Sequence, residues 1–211
     1  MDHEAKLMLI ALIAALSVIW AIAYLLRVGA SWKTVAEQLN LQRQSGVLGF
    51  GAALTGELGK TPIRIGMRRV HNKSWAHSKM GESCTEFHAK LSEPWFSGVQ
   101  IERRELDDVV EELFGTQDFE LGEQGLQKHF DVRGEMTDRV QSLLARQDVQ
   151  TALHRLRQSF DELEINSGGI TVFVRGRASN HDTMIRRIKE LVDVTSQIDA
   201  AASDQSVQPH Q

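Results

Sequence analysis

The strongest pattern along the chain is an apolar run close to its start. Residues 7–26 read LMLIALIAALSVIWAIAYLL, with Lys6 before the run and Arg27 after it. A helix of about 20 residues is about 30 Å long, which matches the hydrocarbon core of a bilayer. Tyr24 lies near the end of the run, where an amphipathic ring prefers the headgroup region. The run therefore predicts one transmembrane helix, preceded by a short N-terminus at residues 1–6.

A cleaved secretory signal is the alternative interpretation of this run. Ala21-Ile22-Ala23 has the small-x-small pattern of a cleavage site. The leading sequence MDHEAK, however, lacks the positive charge that a signal needs, and the apolar run continues to Leu26, beyond that site. We therefore predict an uncleaved anchor, whereas a mature N-terminus at Tyr24 would indicate a signal.

Charge on either side of the run predicts its orientation. Arg27, Lys33 and Arg43 follow the run with Glu37 as the acid among them, whereas one lysine precedes it. The positive-inside rule then predicts a single-pass protein of the bacterial inner membrane with its soluble domain in the cytoplasm. The single cysteine, Cys84, agrees with a reducing compartment.

A second apolar pattern, of helical period, follows directly. Trp32, Val35, Ala36 and Leu39 share one face, and Ser31 is a suitable N-cap. We expect residues 27–46 to form a separate juxtamembrane amphipathic helix and linker, which the glycine-rich stretch 46–51 ends.

The pattern changes to a period of two in the middle of the chain. Alternating segments at 63–67, 84–91 and 99–101 predict strands with one buried face. The joints at 59–62, 78–83 and 92–98 contain Gly, Ser and Pro, as an antiparallel meander requires.

The remainder alternates helix and strand. Helical spacing predicts helices at 105–114, 137–145, 149–156 and 182–198, and Asn166-Ser167-Gly168-Gly169 predicts a hairpin between strands at 160–165 and 170–174. Residues 199–211 are small and polar, which predicts a disordered tail. The fold class is therefore α+β: one N-terminal transmembrane helix, then a domain at 47–198 whose antiparallel sheet is packed with helices.

Composition narrows the function classes. The chain has 24 Lys+Arg against 28 Asp+Glu, a formal net charge of -4 and a pI near 6.1. A general nucleic-acid binder is usually strongly basic, so we expect no nucleic-acid partner. One cysteine excludes an intrachain disulfide and a cysteine-only zinc site.

The segment 126–176 opens with LQKHFDV at residues 126–132, and with this motif-like run it resembles an uncharacterised bacterial family of membrane-anchored proteins of unknown function. That family has an N-terminal hydrophobic segment and a motif close to F-[ND]-x-x-F-x-V. Phe130 and Val132 match its last two positions, whereas Leu126 and Gln127 stand where the family usually has Phe and Asn or Asp. The resemblance implies architecture and location, and it supplies no catalytic residues.

Two motifs invite chemical interpretations. Gly59-Lys60-Thr61 matches the last residues of a P-loop motif, but Leu54 occupies the place of the first glycine and a strand follows. The sequence therefore predicts a β-turn.

Cys84 and a histidine could form a nucleophilic pair, yet no histidine has a signature context. His88 shares a strand face with Cys84, but two ligands are too few for zinc. We therefore expect no metal and no cofactor, and the catalytic residues remain unknown.

The most distinctive charge feature is the basic stretch 64–79, which contains no acid. Its charges and its tryptophan predict contact with anionic lipid headgroups, at about 1 kcal/mol for each charge near the surface. The residues are Arg64, Arg68, Arg69, Lys73, Trp75 and Lys79. The alternative is a solvated hairpin balanced by Glu82, Glu86 and the acidic helix at 105–112.

These patterns predict a membrane-tethered cytoplasmic binding or scaffolding module whose partners are the bilayer and an unknown protein. The alternative is a membrane-anchored enzyme of unrecognised class, for example a hydrolase that uses Cys84 or a histidine. An enzyme predicts a deep pocket that gathers such residues, whereas a binding module predicts a flat or grooved surface.

Overall fold

The computed structural model describes residues 3–44, 52–70, 82–103 and 130–206. The predicted helix at 105–114, the glycine-rich stretch 46–51 and residues 207–211 lie outside these ranges. In chain order the elements are α1 (His3–Gln38), β1 (Gln42–Gln44), β2 (Ala53–Leu58), β3 (Thr61–Val70), β4 (Glu82–Ala89), β5 (Val99–Arg103), β6 (Phe130–Gly134), α2 (Asp138–Ala145), α3 (Gln147–Ser159), β7 (Glu162–Asn166), β8 (Gly169–Arg175) and α4 (His181–Ser206).

The strands form one sheet in the order β1-β2-β3-β4-β8-β7-β5-β6, with every neighbouring pair antiparallel. The prediction of a meander was wrong at one step, because the hairpin β7–β8 lies between β4 and β5. Gly169, at a φ of 133°, makes this pairing possible, since a Cβ there would collide with the carbonyl oxygen of Ala89 on β4. Only glycine fits so close an approach.

Alternation along the strands separates the two faces of the sheet. Ile63 and Ile65 are buried on one face of β3, and Arg64 and Arg68 are exposed on the other. The turn before β3 is made by residues 59 and 60, and Gly59 has a φ of 64°. The β-turn prediction is thus confirmed.

The helices cover one face of the sheet and complete the core. Phe87 of β4, Phe130 of β6, Leu153 of α3 and Ile188 of α4 belong to one buried cluster. Phe130 is buried and Val132 packs partly against the same core. The predicted α+β class, an antiparallel sheet packed with helices behind a long apolar helix, is confirmed.

Polar side chains set where two of the helices begin. The Thr137 hydroxyl accepts a hydrogen bond from the Val140 N–H and caps α2. The Asn180 side chain accepts one from the Thr183 N–H in the same way at the start of α4. These bonds satisfy amides that have no partner within the helix.

Helix α4 continues to Ser206, so the prediction of a disordered tail from residue 199 was wrong over its first part. Ala201 and Ala202 are buried, and the Ala201 carbonyl accepts a hydrogen bond from the Arg146 guanidinium. Small residues fit here because the neighbouring helices lie close.

Helix α1 is continuous from His3 to Gln38, so the prediction of a separate juxtamembrane helix was also wrong. Ser31 lies inside the helix, and its hydroxyl donates to the Ser179 carbonyl instead of capping a new helix. The predicted apolar face is nevertheless correct, since Trp32, Val35, Ala36 and Leu39 are all buried.

Candidate functional site: the end of the sheet that receives α1

The two parts of α1 have opposite surroundings. The large hydrophobic side chains that are exposed in the described residues all lie in 7–26, and none of that apolar stretch is buried within the protein. From Val28 onward the helix packs into the domain core. Within the described ranges, one helix is therefore long and apolar enough to cross a bilayer, and the same helix is part of the fold.

Hydrogen bonds fix where α1 enters the domain. Trp32 Nε1 donates to the Ala178 carbonyl at 3.0 Å, and Ser31 Oγ donates to the Ser179 carbonyl at 2.6 Å. The Ala178 N–H in turn donates to Thr85 Oγ1 at 2.9 Å, and the Gly176 N–H donates to the Ser83 carbonyl at 2.9 Å.

We call the end of the sheet at which α1 enters the proximal end. It comprises residues 68–70, 82–85 and 173–180, where β3 ends, β4 begins and β8 ends. The opposite end of the sheet, the distal end, comprises residues 59–61, 89–92 and 166–169.

The structure separates the predicted lipid-contact residues. Arg68 pairs with Cys84 and Arg69 with Ser83 in the β3–β4 register, so both lie at the proximal end with exposed side chains. Arg64 pairs with His88, about 13 Å farther along β3 at about 3.3 Å per residue. Lys73, Trp75 and Lys79 lie outside the described residues.

One charge of the basic stretch has an acidic partner. Arg68 Nη1 lies 3.3 Å from Glu86 Oε2, and the Arg68 guanidinium lies 5.8 Å from the Phe173 ring centroid. Glu86 is thus a counter-charge, as the solvated-hairpin alternative expects. The side chain of Glu82 and the segment 105–112 lie outside what the structure describes.

The proximal end contains further basic residues that sequence reasoning missed. Arg175 ends β8 and Arg177 follows it. Arg103 ends β5, and Arg187 lies in the second turn of α4. These residues are far apart in sequence, so only the strand order reveals that they share one end of the sheet.

The candidate nucleophile has no histidine partner in the part of the chain that the structure describes. Cys84 is fully buried, and its Sγ donates to the Arg68 carbonyl at 3.3 Å. Burial, with smaller contributions from Glu162 and Glu86, raises the pKa of the Cys84 thiol to about 11. A thiol with this pKa is protonated at neutral pH and is a poor nucleophile.

His88 points to the same face of β4 as Cys84, as the sequence predicted, but it has a different partner. His88 Nδ1 lies 3.0 Å from Thr171 Oγ1, and burial lowers the pKa of His88. Four residues of strand separate His88 from Cys84, which is about 13 Å. Among the described residues, no three His, Cys, Asp or Glu side chains are grouped as a metal site.

A surface depression among the described residues lies at the distal end, away from all of these groups. It has a volume of about 270 Å³ and is wide open to solvent. Phe96, Gly98, Arg133 and Asn166 contribute to its walls, and neither Cys84 nor His88 does. A shallow depression of this composition does not assemble the groups that a hydrolase needs.

Comparisons with known proteins add little to this geometry. No protein-family model matches the chain, and no curated protein matches it. A solved structure that resembles it is that of the mycobacterial trehalose monomycolate transport factor A, TtfA, with 13% sequence identity and a TM-score of 0.46 over 87% of this chain and 98% of that chain. Similarity at this level assigns no function to this chain.

Proposed function

We propose that the chain is a membrane-tethered binding or scaffolding module whose domain is held at the cytoplasmic face of the inner membrane. The observation that carries the proposal is the continuity of α1, which is exposed and apolar over 7–26 and buried in the domain core from Val28 onward. A soluble environment offers no cover for the exposed part.

Transfer energies favour a bilayer as that cover. The run contains 11 Leu, Ile and Val residues. At about 0.3–0.6 kcal/mol each, they favour insertion by about 3–7 kcal/mol. Ser17 is the polar interruption, and its hydroxyl donates to the Ile13 carbonyl one turn earlier, so its hydrogen-bonding group is satisfied within the helix.

The same helix fixes how the domain is presented. Since Arg27 ends the apolar run and Val28 is already buried, no flexible linker separates the span from the domain. The proximal end, with Arg68 and Arg69, then faces the headgroups, and the distal end faces the cytoplasm. A domain held in this way offers its distal surface and outer strands to a protein partner.

A topology assay tests the tether and its orientation. A reporter fused to the C-terminus should be active in the cytoplasm, and the native protein should stay in membranes after carbonate extraction. A reporter active only in the periplasm would overturn the orientation. A protein that carbonate releases, or that begins at Tyr24, would overturn the anchor.

Lipid analysis of the full chain tests the headgroup contact. Phosphatidylglycerol should be enriched over phosphatidylcholine in the lipid that co-purifies with the protein. The double variant Arg68→Gln/Arg69→Gln should lower this enrichment by about fivefold for each charge of about 1 kcal/mol at low salt. Arg64→Gln is the control for the single variant Arg69→Gln, because both remove one charge and Arg64 lies on the same strand toward the distal end. Equal losses in these two single variants would contradict the proposed orientation.

A further inference from the structure

The corner where Arg103 meets the end of α3 holds two arginines that have no acidic partner among the described residues. Arg103 ends β5, and Arg157 lies in the last turn of α3. Neither guanidinium lies within 4 Å of a carboxylate in the described part of the chain. Arg187 adds a third positive charge, 5.7 Å from the centroid of the Phe160 ring in the same corner.

Arg103 is held in a fixed position. Its Nη1 donates to the carbonyls of Phe160 and Asp161, each at 2.7 Å, where α3 ends and β7 begins. These two bonds use one nitrogen of a guanidinium that has five N–H groups. The remaining N–H groups have no acceptor among the described residues.

Arg157 is the less satisfied of the two. Its Nε is buried and has no hydrogen-bond acceptor in the described residues. Burial and the nearby charge of Arg103 lower the pKa of Arg157. A buried donor without a partner, next to a like charge, costs free energy, and a bound anion would relieve both costs.

The corner belongs to the proximal end of the domain. The Asp161 N–H donates to the Phe173 carbonyl, and Asp161 Oδ2 accepts from the Arg175 N–H. Residues 176–179 then reach the contacts with Trp32 and Ser31. The corner therefore lies at the same end of the sheet as the site where α1 enters.

We propose that Arg103 and Arg157 form an oxyanion-binding site that takes the phosphate of an anionic lipid headgroup. The planar forks of two guanidinium groups match the tetrahedral oxygens of a phosphate. The single negative charge of a headgroup phosphodiester offsets part of the positive charge, and its oxygens accept from the N–H groups that have no acceptor among the described residues. The lipid source rests on the proposed membrane placement, whereas the site itself does not.

Thermal unfolding of the full chain in a neutral detergent tests the site. Inorganic phosphate should raise the Tm by about 3–6 °C relative to chloride at equal ionic strength, when phosphate is roughly tenfold above its Kd. Arg157→Gln should abolish this rise, and Arg157→Lys should retain part of it because the charge remains. Arg155→Gln is the control, since Arg155 is exposed on the same helix and pairs with Asp193. No rise in the wild type, or an equal rise in Arg157→Gln, overturns the site.

Nanodiscs separate the lipid from a free phosphate as the source. Phosphatidylglycerol in phosphatidylcholine nanodiscs should raise the Tm of the wild type, and added inorganic phosphate should then have little further effect. If phosphatidylglycerol has no effect while inorganic phosphate still acts through Arg157, the lipid is overturned as the ligand. That result would not bear on the membrane anchor, which the topology assay tests separately.

Discussion

Trp32 is the side chain on which the junction between span and domain most depends. It is 3% exposed, and its indole N–H is bonded to the Ala178 carbonyl. A buried tryptophan covers about 150–250 Å², which at about 25 cal/mol per Å² is about 4–6 kcal/mol. Trp32→Ala should therefore lower the free energy of unfolding by about 3–5 kcal/mol. Trp32→Phe keeps a ring but leaves the carbonyl without its donor, and should cost about 1–3 kcal/mol.

Urea unfolding in detergent, followed by a signal from the sheet, measures both values. The domain has on the order of 5–15 kcal/mol of stability, so the alanine variant should unfold at a clearly lower urea concentration. Lys33→Ala is the control one residue along the helix, because Lys33 is exposed and pairs with the equally exposed Glu37. A cost below about 1 kcal/mol for Trp32→Ala would refute the packing of α1 into the domain.

Three further predictions follow from single residues. Gly29 lies in α1, and a Cβ added there would have no atom within 4 Å. Gly29→Ala should therefore stabilise the domain by about 0.5–1 kcal/mol in the same urea titration. Gly29→Pro should instead cost about 3 kcal/mol, because proline disrupts the helix. A thiol-reactive probe should label Cys84 far more slowly in the folded protein than in the urea-unfolded protein near pH 8. The reason is that the folded thiol is buried and its pKa is raised to about 11. Equal labelling rates would contradict the burial of Cys84. Burial lowers the pKa of His88 below its ordinary value of 6.5, so the unfolded chain binds the proton more strongly than the folded chain does. The free energy of unfolding should therefore fall as the pH drops through and below about 6.5. His88→Gln should flatten that decline, and an unchanged decline would assign it to other groups.

The elements of this fold could be read from local patterns. The period-two stretches around Ile65 and Phe87, the hairpin at 166–169 and the apolar face of α4 all appear at their predicted places. Each of these signals depends on neighbours within one element, which is why sequence alone identifies them. The apolar run at 7–26 is of the same kind.

The connections between elements were not readable in this way. Nothing local indicates that β8 pairs with β4, because that pairing depends on close contact at Gly169 with a strand about 80 residues earlier. Ser31 has the chemistry of an N-cap, and only its bond to Ser179 shows that the helix continues. The basic corner of Arg103 and Arg157 likewise exists only once Arg103, at the end of β5, reaches the carbonyls of Phe160 and Asp161 that follow α3.

The depth of the two ends of the sheet, measured from the headgroups, tests the central claim most directly. Nitroxides at Ser83→Cys and Lys60→Cys, in a Cys84→Ala background, mark exposed positions at the proximal and distal ends. Broadening by paramagnetic headgroups in nanodiscs should be strong at Ser83 and weak at Lys60. Ser83 pairs with Arg69, nine residues along the strand from Lys60, which is about 30 Å at about 3.3 Å per residue. Equal broadening at both positions, or stronger broadening at Lys60, would contradict a domain held in one orientation by α1.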